Sequence, residues 1–264
     1  MHPELFQIGP LHLRSFGALM AAAFLVGTWL GLREARRLGL DEDRFVNVIL
    51  VTLVAAVIGA RGLYVIEHLA EFRSQWGSVL ALWQGGLTLY GGIVAGTFAG
   101  LVAARRLGLP RWLVADALTP SLALGLMFGR LGCWFNGCCY GRPTSLPWGV
   151  RFPHDSFAYL EFGDTPVHPS QLYNAGVGLL LFVVAWAVRK RLRTPGMLFW
   201  GFLLVFSLAR IPIDMTRAYE ADAVLLRTAA FSMTESQLTS AALALFAILM
   251  LVRLRREAPA ATRP

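Results

Sequence analysis

The sequence is short of charge, and shortest of negative charge: charged residues fill 15% of its 264 positions, with 16 Asp and Glu against 24 Lys and Arg. A soluble domain of this size carries about a quarter charged residues, so an ordinary water-exposed surface is excluded. Cysteine is scarcer still. All three, Cys133, Cys138 and Cys139, fall at one locus, too few and too local for a disulfide framework. Their spacing gives no metal motif, since two are adjacent and no His pair lies nearby. The N-terminus shows no small-residue cleavage site, so the first apolar segment is expected to remain as a membrane helix.

What is present is hydrophobic, at 56% of the chain, and it is gathered in blocks close to the roughly 20 residues that cross a bilayer. This predicts an all-α, polytopic membrane protein with about seven transmembrane helices, a single integral-membrane domain over residues 1–264. Residues 1–13 read as an irregular or interfacial segment. The helices are expected at about Arg14–Leu32, Phe45–Leu69, Gly86–Ala104, Trp112–Phe135, Ser170–Val188, Pro195–Asp214 and Glu235–Val252. Trp76 and Trp83 in the second connection are amphipathic rings suited to the interface.

The net charge of +8 does not mean nucleic acid. Basic residues sit in short runs at the ends of apolar segments, as topology signals do, rather than along a binding stripe. The runs follow the first, third, fifth and seventh helices. The positive-inside rule then puts the N-terminus out and the C-terminus in, with outward loops at about 70–85, 136–169 and 215–233.

One stretch concentrates the polar chemistry. Residues 129–142, Gly-Arg-Leu-Gly-Cys-Trp-Phe-Asn-Gly-Cys-Cys-Tyr-Gly-Arg, hold two Arg, one Asn, four Gly and every cysteine. Glycine permits close backbone approach, and an arginine at membrane depth is usually placed for function. Arg61, Arg130, Arg142 and Arg210 lie within or at the outward ends of helices, and a guanidinium fork suits phosphate oxygens. Arg210 and Asp214 are also spaced i,i+4, which an ion pair alone explains. Among the acids near helix ends (Glu67, Asp116, Asp214, Glu220 and Asp222), Asp214 is the best candidate for the outward site, and Asp116 reads as a helix-start residue. Pro169 and Ser170 are ordinary helix-start residues; His168, Gln171 and Tyr173 could line a polar pocket. Tyr90 reads equally as an interfacial anchor, and the paired glycines beside it as close-packing positions. The cysteines admit three readings: a structural disulfide, a reactive thiol, or small apolar filler.

Taken in order, these pieces resemble the bacterial prolipoprotein diacylglyceryl transferase family. The similarity runs through Met1-His2-Pro3 and Phe6–Pro10, Gly59–Val65, Gly85–Gly92, the signature at Gly129–Gly132 with Phe135–Gly137 and Tyr140–Gly141, and His168–Tyr173. It implies transfer of the diacylglyceryl group of phosphatidylglycerol to the lipobox cysteine thiol of an incoming prolipoprotein with its signal peptide. That reaction forms a thioether and releases glycerol phosphate in the bacterial inner membrane, among membrane lipids, without cofactor or metal. By the match, Arg130 and Arg210 would hold the phosphate, Asn136 and Gly141 would shape the pocket, and Arg61 would support it. Arg142, His168, Gln171 and Tyr173 would join the substrate-binding set. The chain departs from the family where Tyr90 replaces His, Cys133 replaces Asn, Cys138 stands at an acidic or amide position, Asp214 replaces Glu, and Phe16 and Phe206 replace Tyr. Tyr90, Asp214 and Cys138 are therefore the candidate bases. The competing readings are a diverged phospholipid-binding relative without transfer, and a periplasmic thiol enzyme using Cys138 and Cys139.

Overall fold

The computed structural model describes residues 4–8, 11–73, 76–82, 85–154, 156–219, 224–227 and 232–257. His2, Trp83, Glu220 and Asp222 lie outside them. Seven long helices occur in the expected order: α1 (Ser15–Arg37), α2 (Glu42–Glu67), α4 (Leu89–Arg106), α5 (Arg111–Asn136), α7 (Ser170–Val188), α8 (Met197–Met215) and α9 (Glu235–Glu257). Between them fall two short helices, α3 (Leu69–Phe72) and α6 (Phe157–Phe162), and a 3₁₀ turn at Trp76–Leu80. Six of the long helices, all but α4, are long and apolar enough to cross a membrane. The chain is a polytopic helical membrane protein. The 18-residue α4 ends on Arg105 and Arg106 inside its own last turn.

The helix ends differ from expectation for local reasons. α1 continues through its basic run because Glu34, only 1% exposed, pairs with Arg37 at 2.7 Å. α2 starts a turn early, where the Asp41 side chain caps the Arg44 amide and Glu42 and Asp43 face the positive end of the helix dipole. Asp116 is not at a helix start; it lies in the second turn of α5 and is buried. Two hairpins also replace expected irregular chain. β1 (Glu4–Ile8) pairs antiparallel with β2 (Leu11–Arg14), and β3 (Val224–Arg227) with β4 (Ser232–Thr234).

The chain divides into two compact units, residues 32–117 and residues 1–31 with 118–264. The first is built on the crossing of α2 and α4, whose backbones nearly touch. A Cβ on Gly59 would fall 2.2 Å from the Ala95 Cβ, and one on Gly91 would fall 2.3 Å from the Gly59 carbonyl oxygen. Small residues thus line the contact, as helix packing in lipid favours. In the larger unit, Ala123 of α5, Leu181 of α7 and Phe202 of α8 form a core that Phe206 flanks. Gly178 of α7 sits where a Cβ would meet the Met127 amide nitrogen at 2.7 Å.

These contacts separate structural glycines from replaceable ones. Gly91→Ala is expected to destabilise the detergent-solubilised protein by about 1–3 kcal/mol through overpacking. Gly62→Ala, in the same unit with nothing within 4 Å of its Cβ position, should be neutral or stabilise by up to about 1 kcal/mol. Thermal unfolding of the two variants checks this; equal midpoints would show that the α2–α4 approach is not tight.

Candidate active site

Arg61 belongs to the smaller unit, and its guanidinium is consumed there by backbone. It donates to the carbonyls of Val79 (2.8 Å), Ser78 (2.6 Å), Gly85 (2.6 Å) and Gly86 (2.9 Å). Tyr64 and Phe72 cover its faces at 5.6 and 5.3 Å to their ring centroids. Gly85 and Gly86 have φ of +84° and +76°, the left-handed backbone glycine supplies, and that turn aims both carbonyls at one cation. Arg61 therefore closes the α2–α4 connection over itself. Tyr90 sits in the first turn of α4, 52% exposed.

The other candidates meet in the larger unit. α5 ends at Asn136 in a Schellman cap: the Cys138 amide donates to the Cys133 carbonyl and the Gly137 amide to the Trp134 carbonyl, with Gly137 at φ +71°. That motif brings its third-from-last residue against the residue after the glycine, here Cys133 and Cys138. Cys139 then takes φ +59°, alone among the described non-glycine residues in that region. The result gathers three free thiols whose sulfurs all lie within 4.8 Å of one another. No disulfide forms.

Beyond the cap, residues 140–144 run extended between two neighbours. The Gly141 amide donates to the His168 carbonyl (3.0 Å), the Arg142 amide to the Thr216 carbonyl (2.8 Å), and the His168 amide to the Arg142 carbonyl (3.0 Å). A side chain on Gly141 would lie 2.5 Å from His168 Cβ and 2.6 Å from Ser170 Oγ, so this glycine is required by contact. Ser170 does not cap its own helix; its hydroxyl bonds Thr216 Oγ1 (2.8 Å). Gln171, fully buried, donates from Nε2 to the Cys138 carbonyl (2.9 Å), while its Oε1 has no partner among the described residues. Tyr173 accepts from Trp148 Nε1 (2.8 Å) and lies 3.3 Å from His168 Nδ1. Thus His168, Gln171 and Tyr173 occupy one polar end with the signature, and Gln171 braces its turn.

Asp214, 1% exposed, anchors the charged side of this end. Its carboxylate accepts from the Tyr219 hydroxyl and from Thr234 Oγ1 (2.5 Å), with Arg210 Nη2 at 3.9 Å. Thr234 and Gln237 exchange hydrogen bonds of 3.1 and 3.2 Å at the start of α9, a capping box. Arg217 Nη1 donates to the Tyr219 hydroxyl (3.0 Å), and Arg210 Nε to Ser236 Oγ (3.2 Å). Burial, and then the bond to Asp214, push the Tyr219 phenol up, so it stays protonated as a donor. Partly exposed Arg130 acts electrostatically on both Arg210 and Cys139, and Arg217 does the same. Arg142 is exposed and bonds the Arg217 carbonyl through Nε (3.0 Å).

Beside the thiols opens a hollow of about 500 Å³, lined by Cys138, Cys139, Tyr140, Phe157, Glu161, Arg217, Ala218 and Tyr219. Hydrogen bonds from Cys133 and then Cys138 pull the Cys139 thiol far below the ordinary thiol range, with help from Arg217 and Arg130. Cys138 is drawn down by Cys133 but ends above that range, because its bond to Cys139 and its burial outweigh this. Sequence reasoning missed Arg217, Tyr219, Thr234 and Glu161. The one signal available was that Arg217 follows Asp214 by three residues at a helix end.

The chain is similar to known proteins over nearly its whole length. The chain is 34% identical over 271 residues to the phosphatidylglycerol–prolipoprotein diacylglyceryl transferase of Synechococcus elongatus, covering 99% of this chain and 91% of that one. With the Geobacter sulfurreducens enzyme of the same name the identity is 34% over 97% and 96% of the two chains. With that of Parasynechococcus marenigrum it is 36% over 81% and 80%. The family model described as prolipoprotein diacylglyceryl transferase matches residues 3–253, and the chain belongs to that family.

Proposed function

We propose that this chain is a transferase that moves the diacylglyceryl group of phosphatidylglycerol to the lipobox cysteine thiol of a prolipoprotein held by its signal peptide. The observation that carries this reading, within the family, is that Arg130 and Arg217 both lie close enough to act on Arg210 and on Cys139, with the sealed Asp214 carboxylate 3.9 Å from Arg210 Nη2. Three cations against one carboxylate make a place for an anion, and the phospholipid headgroup brings one. In the reaction a C–S bond forms from the acceptor sulfur to the glyceryl carbon, the C–O bond to phosphate breaks, and glycerol phosphate leaves. Guanidinium forks aimed at those phosphate oxygens stabilise the charge that develops on them.

Asp214 acts here as a positioning residue, holding Arg210 directly and Arg217 through Tyr219. Asn136 and Gly141 shape the turn beside the thiols, and the hollow at Cys138 is the side from which the acceptor thiol enters. Tyr90 serves the lipid interface. The protein is a multi-pass protein of the bacterial inner membrane with its N-terminus out and C-terminus in, which puts the loops at 70–85, 136–169 and 215–233 outside, where lipoprotein precursors emerge.

Arg130→Gln should lower kcat/KM for labelled phosphatidylglycerol and a lipobox peptide by about 10²–10³ while leaving thermal stability near the parent's. Lipid bound with no thioether formed by the parent protein would instead support a phospholipid-binding relative. Orientation is tested with a membrane-impermeant maleimide on intact cells: Ser145→Cys should be labelled and Arg191→Cys should not, both in a background with Cys133, Cys138 and Cys139 replaced by Ser, and the reverse pattern overturns the topology. Because Cys139 is held as thiolate, its carboxamidomethylation should stay nearly constant from about pH 8 to about pH 6, where an ordinary thiol loses up to about tenfold per pH unit. An ordinary profile at Cys139 would remove the thiolate from the site.

A further inference from the structure

The three cysteines converge in space. Cys133 and Cys138 are brought together by the Schellman cap, and Cys139 joins them through its left-handed backbone. Their sulfurs all lie within 4.8 Å of one another. Three sulfurs around a zinc ion at about 2.3 Å are about 4 Å apart, so less than about 1 Å of side-chain adjustment closes the triangle. We propose that Cys133, Cys138 and Cys139 form a three-thiolate site for a thiophilic d¹⁰ cation such as Zn²⁺, with a fourth position open to the adjoining hollow.

Four observations support the assignment. The ligands stand on a rigid helix end, whose hydrogen bonds from Cys138 and Gly137 hold the turn at 3.1 and 3.2 Å without help from the metal. Gln171 Nε2 bonds the Cys138 carbonyl at 2.9 Å and fixes that peptide from behind. Arg217 and Arg130 act on Cys139, so the net negative charge of three thiolates on a divalent ion is answered by nearby cations. Cys138 and Cys139 also line the hollow, which leaves one side of the ion uncovered. Structural zinc sites are closed by four protein ligands, whereas sites that do chemistry keep a position open. His and carboxylate ligands are absent from the group, which favours soft ions over magnesium or calcium.

An open position on such an ion suits a second thiol. An incoming R–SH that binds there loses its proton to water and stays as metal-bound thiolate, because a coordinated thiol is deprotonated outright. This role rests on the transferase reading, since the acceptor in that reaction is itself a cysteine. It supplies a means of activating that thiol in a chain whose usual proton-handling positions carry Tyr90, Cys133 and Cys138.

The test uses the full-length protein, purified in detergent and reduced. Titration with Co²⁺ should give a thiolate-to-cobalt charge-transfer band saturating at one ion per chain, and Zn²⁺ should bleach it. Zn²⁺ should also slow modification of the three thiols at least about tenfold. Cys133→Ser, checked for folding by its thermal midpoint, should weaken the band by about one third or abolish it. The absence of the band with three titratable thiols present overturns the site, as does a disulfide among them in protein isolated without reductant. A lipobox peptide should then change the cobalt ligand-field bands, and its Cys→Ser counterpart should not. If both peptides leave the spectrum unchanged while the charge-transfer band is present, the ion is bound but its open position does not take the acceptor. If the peptide binds cobalt but no lipid is transferred, the transferase reading fails and the metal site stands.

Discussion

A carboxylate removed from water must be answered by the protein, and Asp214 is answered from three directions. Arg210 comes from one turn earlier on the same helix, Tyr219 from the segment after it, and Thr234 from the start of α9. Burying an ion costs several kcal/mol unless partners replace its hydration, so these elements are held to one geometry by the same charge. The cluster of guanidiniums depends on that geometry. Like charges repel strongly where water is thin, and only a fixed anion lets Arg210 and Arg217 share a small volume with Arg130 nearby. The scarcity of acids in the sequence becomes intelligible: the enclosed Asp214 carboxylate organises the polar end without cancelling its positive charge.

Arg61 shows how an arginine within an apolar helix is answered by backbone alone. Its partners are carbonyls turned toward it by Gly85 and Gly86, and its flat faces lie on aromatic rings. The same side-chain type thus serves two physical ends. In the smaller unit it replaces the water that loop carbonyls would lack. In the larger unit Arg210 and Arg217 are each held by a few directed bonds. Arg61 stands between Gly59 and Gly62, whereas neither Arg210 nor Arg217 has a glycine within three residues.

The helices were legible because an apolar block of bilayer length has one stable form in lipid, and the i,i+4 relation of Arg210 and Asp214 was legible because helix geometry fixes it. The hairpins were not, since strands of three to five residues carry too little alternation to be read. The resemblance gives Gly141 a place in the pocket, but what requires a glycine there is the contact with His168, 27 residues away in sequence. Arg217 and Tyr219 follow the end of α8, where no periodicity marks which side chains turn back. The convergence of the cysteines was not legible for a sharper reason. Adjacent residues ordinarily diverge, and the convergence of Cys138 and Cys139 with Cys133 requires a non-glycine residue at φ +59°, a conformation no sequence pattern announces.

That conformation has a cost of about 1–3 kcal/mol at a bulky residue, and thiols as mere filler would give no reason to bear it. Reactivity adds to the difficulty. A thiolate within reach of two other sulfurs is poised to form a disulfide, and on the outward side proposed for this end nothing would keep it reduced. Yet closing any pair would draw the three sulfurs out of the common triangle and pull on the turn that Gln171 and the Schellman cap hold. An ion that takes all three sulfurs at once resolves both problems, since it uses the left-handed turn and withdraws the thiolate from oxidation. The rigidity of the helix end, rather than the number of cysteines, is what makes that outcome physically consistent.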